Sequence, residues 1–402
     1  MIPEVFILME TSLRISRGIL EGISDYVKAN GPWKIRYTTG GMRDQRLPPG
    51  WRGDGVIGRV GTPELAAEIA AFNGPTVLFD LQGHYLAPTS PLSKMPRMMN
   101  DYAACGRMAA EFFLKRRYRN FAFFGPTYSS VAGLEHDGTG LVDPYWSIER
   151  RRGFEERLKR DGFVCANYPL PRSKALSANY SREAERVVKW IAARPKPLAI
   201  LCAHDARGIQ LVDACTSAGI RVPEDVAVIG VNDDPIICSM CVPALTSIAL
   251  DSRRAGYEAA KLLDLRMHGR HIPKETIYPP LFVDKRGSTA EFETSDPLIS
   301  KAFAAITAAH GCGIYPDTIA KMLGISRRHL EKRFEKVVGA GVAATIRDIA
   351  LDHAASLVTS TDKTAAEIAR ESGVATAAHL AFLFRRRFGV TMSDYRRTAR
   401  EA

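Results

Sequence analysis

Four basic side chains near the end of the chain are spaced to lie on one face of a short helix: Arg327, Arg328, Lys332 and Arg333. Guanidinium and ammonium groups on one helix face can bind phosphate oxygens and the edges of DNA bases. Leu330 and Phe334 fall on the inward face, and Ser326 is a good N-cap. Residues 316–323 predict a preceding amphipathic helix, which Gly324 ends because glycine readily takes the left-handed conformation of a tight turn. This order of elements predicts a DNA-reading helix-turn-helix.

A second unit of the same build follows about 50 residues later. Residues 363–370 predict a short helix, residues 371–373 a turn that ends in glycine, and residues 376–388 a second helix. One helical stretch, residues 342–358, joins the two units. Two solvated basic helices of an ordinary bundle are the alternative interpretation.

The two units together resemble the AraC-type DNA-binding domain. The matching segments are IAKMLGISRRHLEKRF, EIARESGV and HLAFLFRRRFGVTMSDYRR, in this order. The chain departs from the family pattern at Ala350, where many members carry a basic residue, and at Met392, where proline is usual. The resemblance implies that each second helix faces the major groove of operator DNA. The candidate DNA-binding residues are then Ser326, Arg327, Arg328, Glu331, Lys332, Ala377, Ala378, His379, Arg385, Arg386 and Arg387.

The second helices of the two units differ in chemistry. In the first, Arg328 can bind guanine O6 and N7 and Glu331 can accept from cytosine N4, each worth about 1–3 kcal/mol of discrimination. In the second, the corresponding positions are mostly apolar and include Phe382 and Leu383. These side chains can contact thymine methyl groups or only fit the shape of the groove. Basic residues further on are expected to grip phosphates: Arg385, Arg386 and Arg387, with help from Arg396 and Arg397. We therefore predict that the first unit supplies most sequence specificity and the second mostly affinity.

The composition favours a polyanionic partner. The 402 residues carry a net charge of +11; residues 298–402 hold 16 Lys and Arg against 10 Asp and Glu, a net of +6, which leaves +5 for the rest. Charge alone would also fit an anionic membrane, but no stretch approaches the roughly 18 apolar residues of a membrane span. Residues 1–10 predict a first strand and not a signal peptide. Seven irregularly spaced cysteines indicate a reducing compartment, and the lone C-x-x-C at Cys238 and Cys241 does not predict a metal site. We expect a cytoplasmic protein.

The first 286 residues alternate short apolar strands with helices of about 10–15 residues. This alternation predicts an α/β fold with parallel sheets covered by helices on both faces. A loop rich in Gly, Pro and Ser at about 125–147 marks the entry into a second lobe. The predicted divisions are a first lobe of residues 1–125 and 252–286, a second lobe of residues 126–251, a polar linker of residues 287–297, and an all-α DNA-binding domain of residues 298–402.

Polar residues follow three of the predicted strands, at the rim where open parallel sheets bind ligands. They are Thr11, Ser12, Asp205, Asn232 and Asp233. A sugar needs fixed donors and acceptors for its hydroxyls and an apolar surface for its ring. The rim therefore predicts a site for a polar ligand such as a sugar. Alternatively, Asp205 and Asn232 only cap the elements that follow them.

The same part of the chain resembles the sugar-sensing core of LacI/GalR-type repressors, which is related to the two-lobed, type I periplasmic sugar-binding proteins. The matching segments are WSIERRRGFEERL, CAHDARGIQLVDACTSAGIRVPEDVAVIGVNDDP and PALTSIALDSRRAGYEAAKLL. The resemblance implies that Arg150 contacts the ligand and that Asp205 is the strand-end acid. Asn232 stands where the family has aspartate, which leaves Asp233 as an alternative carboxylate. Trp146 is a candidate for stacking on the sugar; a solvated face for Arg150 and lobe packing for Trp146 are the alternatives.

A sensor of this kind followed by an AraC-type domain resembles the XylR-type activators of xylose operons, nearly from end to end. The resemblance implies an activator of carbohydrate-utilisation genes that responds to xylose or a related monosaccharide. Its expected partners are double-stranded operator DNA, the monosaccharide, RNA polymerase and a second copy of the chain in a homodimer. No cofactor, metal ion or membrane partner is expected.

A cytoplasmic sugar-metabolising enzyme with an accessory helical domain is the alternative from a different class. The sequence has no G-x-G-x-x-G after the first strand, no G-x-x-x-x-G-K-[ST], no G-x-S-x-G and no H-E-x-x-H. Its nine histidines are dispersed, and only His204 lies at the predicted rim, where a ligand contact or a supporting role is expected before that of a base. No catalytic residue is predicted.

Overall fold

The computed structural model describes residues 2–38, 40–126, 145–168, 180–289, 296–338, 340–388 and 390–401. The chain forms two compact units, Met1–Thr289 and Ala290–Glu401. Most of the predicted loop at about 125–147, and the centre of the predicted linker at 287–297, lie outside the described residues.

One sheet of the first unit contains six described strands, all parallel, and defines the first lobe. They are β1 (Glu4–Leu8), β2 (Lys34–Tyr37), β3 (Gly55–Arg59), β4 (Thr76–Phe79), β5 (Arg97–Asn100) and β11 (Glu275–Tyr278). Their order across the sheet is β11-β5-β4-β3-β1-β2. The central strands β1, β3 and β4 are almost continuously buried, as expected of parallel strands covered on both faces.

The other sheet defines the second lobe. Its described strands are β6 (Asn120–Phe124), β7 (Cys165–Asn167), β8 (Leu198–Cys202), β9 (Val226–Val231), β10 (Thr246–Leu250) and β12 (Pro280–Asp284). The order is β12-β10-β9-β8-β6-β7, and β12 runs antiparallel to β10. The other pairs are parallel.

Helices cover both sheets, and glycines allow two pairs of helices to approach closely. The helices are α1 (Arg14–Asn30), α2 (Pro63–Phe72), α3 (Gly83–Leu86), α4 (Tyr102–Lys115), α5 (Tyr145–Arg160), α6 (Tyr180–Ala192), α7 (Asp205–Ser217), α8 (Pro235–Ser239) and α9 (Ser252–Met267), with a 3-10 turn at Pro91–Lys94. Helix α1 packs along α9, and α4 packs along α5. A Cβ at Gly22 would lie 1.8 Å from the Arg253 carbonyl oxygen, and one at Gly153 would lie 2.0 Å from that of Ala103. A larger residue at either position would therefore force the two helices apart.

The predicted lobe boundary near residue 125 is wrong, because β6 pairs with β7 and β8 in the second sheet. Helix α4 packs along α5 and also contacts β8 and β12, so it belongs to the second lobe as well. The single strand predicted at 276–283 is two strands, β11 in the first sheet and β12 in the second. The chain therefore passes between the lobes near residues 101, 251 and 279. An apolar pattern shows that a segment is a strand, but it does not show which of two similar sheets the strand joins.

The second unit is all helical. Its helices are α10 (Pro297–Ala308), α11 (Pro316–Met322), α12 (Arg327–Val338), α13 (Val342–Ser360), α14 (Ala365–Glu371), α15 (Ala377–Phe388) and α16 (Met392–Glu401). Helix α13 joins two small cores, because Val342 and Ile349 pack into the first and Leu351 and Val358 into the second. Within the described ranges, no helix is long and apolar enough to cross a membrane.

Candidate functional site

The first helix-turn-helix unit is formed by α11 and α12. Gly324 has a φ of 67° in the turn between them, where glycine is favoured. Ser326 Oγ accepts from the main-chain N–H of His329 at 3.2 Å and thereby caps α12. Leu330 and Phe334 are fully buried, so the opposite side of α12 is left for solvent or DNA.

The exposed side of α12 carries Arg328 and Lys332. Within the described part of the chain, neither cation forms an ion pair with a carboxylate. Arg327 is also exposed, but it lies 2.9 Å from an Asp317 oxygen and 3.0 Å from a Glu331 oxygen. Exposed ion pairs of this kind contribute about 0–1 kcal/mol, so Arg327 and Glu331 can exchange them for contacts with DNA at little cost.

The second unit, α14 and α15, repeats the geometry of the first. Gly373 has a φ of 66° in the turn. Thr376 Oγ1 accepts from the main-chain N–H of His379 at 3.1 Å. Leu380 and Phe384 are fully buried. Helix α15 is therefore capped at its start and packed on its inner side in the same way as α12.

The outer side of α15 is apolar at its start and basic at its end. Ala377 is half-buried, and Ala378 and His379 are exposed. Phe382 is 61% exposed. The three arginines at 385–387 are exposed, and Arg387 lies 3.3 Å from a carboxylate oxygen of Asp348 in α13.

Arg396 is hydrogen-bonded within the DNA-binding unit. Its Nε donates to the Val358 carbonyl at 3.0 Å and its Nη2 to the Lys363 carbonyl at 2.6 Å. The side chain therefore satisfies carbonyl groups at and beyond the end of α13, which favours a supporting role over a phosphate contact. Arg397 is exposed and forms a surface ion pair with Asp394 at 2.6 Å.

The two departures from the AraC pattern leave the helices intact. Ala350 is only 5% exposed and lies inside α13. Met392 is half-buried at the start of α16 and packs against the second core.

In the α/β part of the chain, Met1–Thr289, polar residues at the ends of three neighbouring strands of the first lobe form a network. Arg59 Nη1 lies 2.8 Å from Oε1 of Glu10, which is 2% exposed. Asp80 accepts from the hydroxyls of Tyr102 at 2.7 Å and Tyr278 at 2.8 Å. Burial alone would lower the pKa of Arg59, but attraction to Glu10 and Asp80 outweighs this and raises it. Glu10 Oε2 and Arg59 Nε are buried and have no partner among the described residues, so hydroxyls of a ligand could satisfy them.

Arg150 of the second lobe lies close to this network. It is 4% exposed, and its guanidinium carbon is 5.6 Å from the centre of the Tyr102 ring and 5.3 Å from that of Trp146. It donates to the Ala203 carbonyl at 2.5 Å and to Asn232 Oδ1 at 3.4 Å. No described carboxylate forms an ion pair with Arg150, and its buried Nε has no partner among the residues that the structure describes. The alternative that Arg150 belongs to a solvated helix face is therefore wrong. A buried cation without an anion is energetically costly unless ligand oxygens complete its contacts.

Asp205 organises the loop after β9. Its Oδ1 accepts from the Ser247 hydroxyl at 2.5 Å, and its Oδ2 accepts from the main-chain N–H of Asp234 at 3.0 Å. Burial raises the pKa of Asp205 to about 7. Both oxygens are thus used within the protein, which favours a positioning role over a direct contact with the ligand.

The loop held by Asp205 points two side chains in different directions. Asn232 and Asp233 have φ values of 109° and 50°, a sharp bend that short polar side chains tolerate better than others. The Asn232 oxygen faces Arg150. Asp233 lies 2.8 Å from Arg286, and burial raises its pKa to about 6. Of Asn232 and Asp233, it is therefore Asn232 that borders the guanidinium group of Arg150.

His204 and Trp146 form the aromatic side of the site. Their ring centres are 5.6 Å apart. Burial, together with the nearby charges of Arg207 and Arg150, lowers the pKa of His204 to about 3, so its imidazole is neutral and can both donate and accept. Trp146 is half-buried and packs against core residues of both lobes, so packing accounts for part of its role.

Thr11 and Ser12 contribute differently from what the sequence predicted. Both are exposed, and their main-chain oxygens each accept from Arg17 Nη1 at 3.0 Å. The buried strand-end residue is Glu10, which sequence reasoning missed together with Arg59 and Asp80. The signal was present, because each of these residues ends or follows a buried strand as Asp205 does.

Comparisons with known proteins agree with this arrangement. The periplasmic binding protein-like domain family matches residues 110–289, and a helix-turn-helix domain family matches residues 319–398. The xylose operon regulatory protein of Escherichia coli K12 is 27% identical over 98% of this chain and 96% of its own length. The protein of the same name from Haemophilus influenzae is 25% identical over 98% of both.

Solved structures give the same result. The xylose-binding transcription activator xylR superposes with a TM-score of 0.62 at 25% identity, over 99% of this chain and 98% of that one. A lac repressor dimer bound to operator has a TM-score of 0.51 at 18% identity, over 72% of this chain and 94% of that one. It shares the fold of the α/β unit, Met1–Thr289.

The fold and its sites define a transcription regulator with a two-lobed, periplasmic-binding-protein-like sugar-binding unit and an AraC-type DNA-binding unit, and the predicted fold class is confirmed. Within that class the chain is a XylR-like regulator. The alternative of a sugar-metabolising enzyme is not supported, because these relatives are transcription regulators with DNA-binding domains.

Proposed function

We propose that the chain regulates carbohydrate-utilisation genes in response to a monosaccharide, xylose or a close relative, held between the two lobes. The observation that carries this proposal is the buried Arg150, which lacks a carboxylate partner in the described ranges and lies near Tyr102. Tyr102 belongs to the network in which one atom each of Glu10 and Arg59 also lacks a partner among the described residues. Donors and acceptors of this kind suit the hydroxyls of a sugar and not an apolar ligand. Xylose is suggested by the names of the relatives.

We assign the ligand contacts residue by residue. Arg150 and Asn232 bind hydroxyls from the second lobe, and Glu10 and Arg59 bind them from the first. Trp146 packs on the C–H face of the sugar. Asp205 and Asp233 hold the loop that presents Asn232, and Thr11 and Ser12 border the site through their main chain.

A direct route leads from this loop to the end of the sensor. Asp233 is ion-paired with Arg286, which also donates to the Leu245 carbonyl at 2.9 Å. Two residues later, Ser288 Oγ donates to the Val228 carbonyl at 2.7 Å, and its main-chain oxygen accepts from Val228 N–H at 2.8 Å. We infer that movement of the loop on sugar binding is passed through Arg286 to the segment before the DNA-binding unit, with a coupling of about 1–3 kcal/mol.

For the DNA, we propose that hydrogen-bonded base readout comes from Arg328, Glu331 and Lys332. Ser326 and Arg327 support the start of that helix, and the arginines at 385–387 hold phosphates. Ala377, Ala378 and His379 lie at the equivalent positions of the second unit.

The proposed DNA-binding role also indicates an oligomeric state. A two-fold homodimer would present two DNA-binding units to a double operator. We propose that the protein activates transcription by contacting RNA polymerase when sugar is bound. A regulator acts where its DNA is, so we also propose a cytoplasmic location.

Thermal unfolding of the full chain with a panel of pentoses and hexoses tests the proposed ligand. A sugar at 100 times its Kd should stabilise the protein by about 2.7 kcal/mol. Arg150→Gln and Asn232→Ala should lose this stabilisation. Arg152→Gln is the matched control, because Arg152 lies on the same helix and forms exposed ion pairs with Glu149 and Glu156. An unchanged shift in Arg150→Gln would reject the site.

A further inference from the structure

Helix α15 has an exposed apolar surface at its start. We call the residues Ala378, Ala381 and Phe382 the apolar face; all three are exposed, Phe382 to 61%. The buried side of the same helix is filled by Leu380 and Phe384. The second core therefore does not account for the apolar face, and its aromatic ring is left in contact with solvent.

The equivalence of the two units shows which position the apolar face occupies. Ser326 and Thr376 cap the two second helices in the same way, at 3.2 and 3.1 Å. Counting from these caps, Phe382 stands where α12 has Lys332, and Ala381 stands where it has Glu331. The apolar face thus replaces the residues that are proposed to contact bases in the first unit.

The charge around the apolar face fits a nucleic acid. Arg385 and Arg386 are exposed three and four positions after Phe382, which places them one helical turn further along the same side. Cations at this distance from the start of a recognition helix can bind the DNA phosphates while the start of the helix contacts the base edges. The apolar group that a major groove offers is the 5-methyl of thymine.

We propose that the apolar face recognises thymine methyl groups, so that the second unit contributes sequence specificity through apolar contacts and not only affinity. The proposal rests on the proposed entry of both second helices into the major groove. It names the bases that the second half-site should contain, and it changes the expectation that specificity comes mostly from the first unit. Phe382 provides most of the contact area, and the alanines leave space for the methyl groups to approach.

The test uses the full chain and duplexes that it selects from a random library. The selected duplex is then made with deoxyuridine in place of thymidine, in one half-site at a time. Removing a methyl contact should weaken binding of the wild type about fourfold per methyl. Phe382→Ala should bind the thymidine duplex about as weakly as the wild type binds the deoxyuridine duplex, and deoxyuridine should cause no further loss.

Lys332→Ala is the matched control on α12, because it occupies the equivalent position. It should bind all duplexes more weakly and keep the wild-type ratio between thymidine and deoxyuridine. Phe382→Leu should keep part of that ratio. Because residue 382 is exposed, the variants should unfold at the wild-type temperature.

Equal affinity of the wild type for the thymidine and deoxyuridine duplexes would overturn the proposal. It would also be overturned if the loss of affinity from Phe382→Ala and the loss from deoxyuridine were additive. If Phe382→Ala binds both duplexes normally but lowers transcription with RNA polymerase, the face contacts a protein and the proposal is wrong. A wild type that selects no duplex at all would instead contradict the groove-binding role of both units.

Discussion

Arg17 Nη2 lies 3.0 Å from Asp234 Oδ2, and this ion pair joins helix α1 of the first lobe to the loop after β9 in the second. Arg17 also holds the main-chain oxygens of Thr11 and Ser12, while Asp234 caps α8 through the main-chain N–H groups of Ile236 and Ile237. The pair therefore bridges the lobes at the rim of the proposed sugar site.

Removing the Arg17 bridge should weaken sugar binding modestly. The two side chains are 35% and 11% exposed, so solvent screens the pair, and we expect a loss of about 0.5–1 kcal/mol, or two- to fivefold in Kd, for Arg17→Ala by titration calorimetry. Lys28→Ala, an exposed position on the same helix, should bind as the wild type does. An unaffected Kd in Arg17→Ala would show that the bridge does not contribute to the bound state.

Asp205 should make the stability of the sensor depend on pH. Its folded pKa of about 7 lies above the ordinary value of 3.8, so between these values the folded state holds a proton that the unfolded state has lost. This contribution to stability is complete below about pH 4 and is lost as the pH rises to about 7, by up to about 4 kcal/mol. Asp205→Asn lacks the titration, so its free energy of unfolding should rise relative to that of the wild type over the same range in urea. A difference that is constant with pH, or that falls, would mean that the carboxylate is stabilised as an anion.

Arg328 and Arg386 should differ in their effect on DNA. Arg328→Ala should cost about 1–3 kcal/mol on a selected duplex and little on random DNA, because a base contact is lost. Arg386→Ala should weaken both about equally and reduce the slope of log K against log salt by about 0.9. Lys301→Ala, which removes an exposed cation of α10 that has no proposed DNA contact, serves as the control. The same pattern in both variants would remove this division of roles.

Arg286 should couple the sugar site to DNA binding. Arg286→Lys keeps the charge that Nη2 places beside Asp233 and Asp284, but it loses the hydrogen bond that Nη1 donates to the Leu245 carbonyl. We expect sugar affinity within about threefold of the wild type and a sugar effect on DNA affinity that falls from the usual 5–150-fold towards none. Arg270→Lys, at an exposed position, should leave the coupling intact. If the variant keeps the full sugar effect, the signal follows another route.

Gly153 should be required for the packing that places Arg150. A Cβ there would meet the Ala103 carbonyl at 2.0 Å, so Gly153→Ala should lower the free energy of unfolding by about 1–3 kcal/mol and weaken sugar binding. At Gly341 an added Cβ meets nothing within 4 Å, and Gly341→Ala is the control. Wild-type stability in Gly153→Ala would show that the two helices can move apart without cost.

The sequence by itself determined the local features of this protein. The turns at Gly324 and Gly373, the cap at Ser326, and the buried strands could be predicted because each depends on residues only a few positions apart. The strand-end rule also led to Asp205 and Asn232, since a polar residue after an apolar run is visible without a fold.

Only the tertiary structure decided which distant residues meet. It placed β6 and β12 in the second sheet, brought Arg150 beside Tyr102, paired Arg59 with Glu10, and turned Arg396 into a support for α13. These contacts join residues far apart in the chain, and the burial of a charge follows from what packs over it. No spacing along the sequence contains that information.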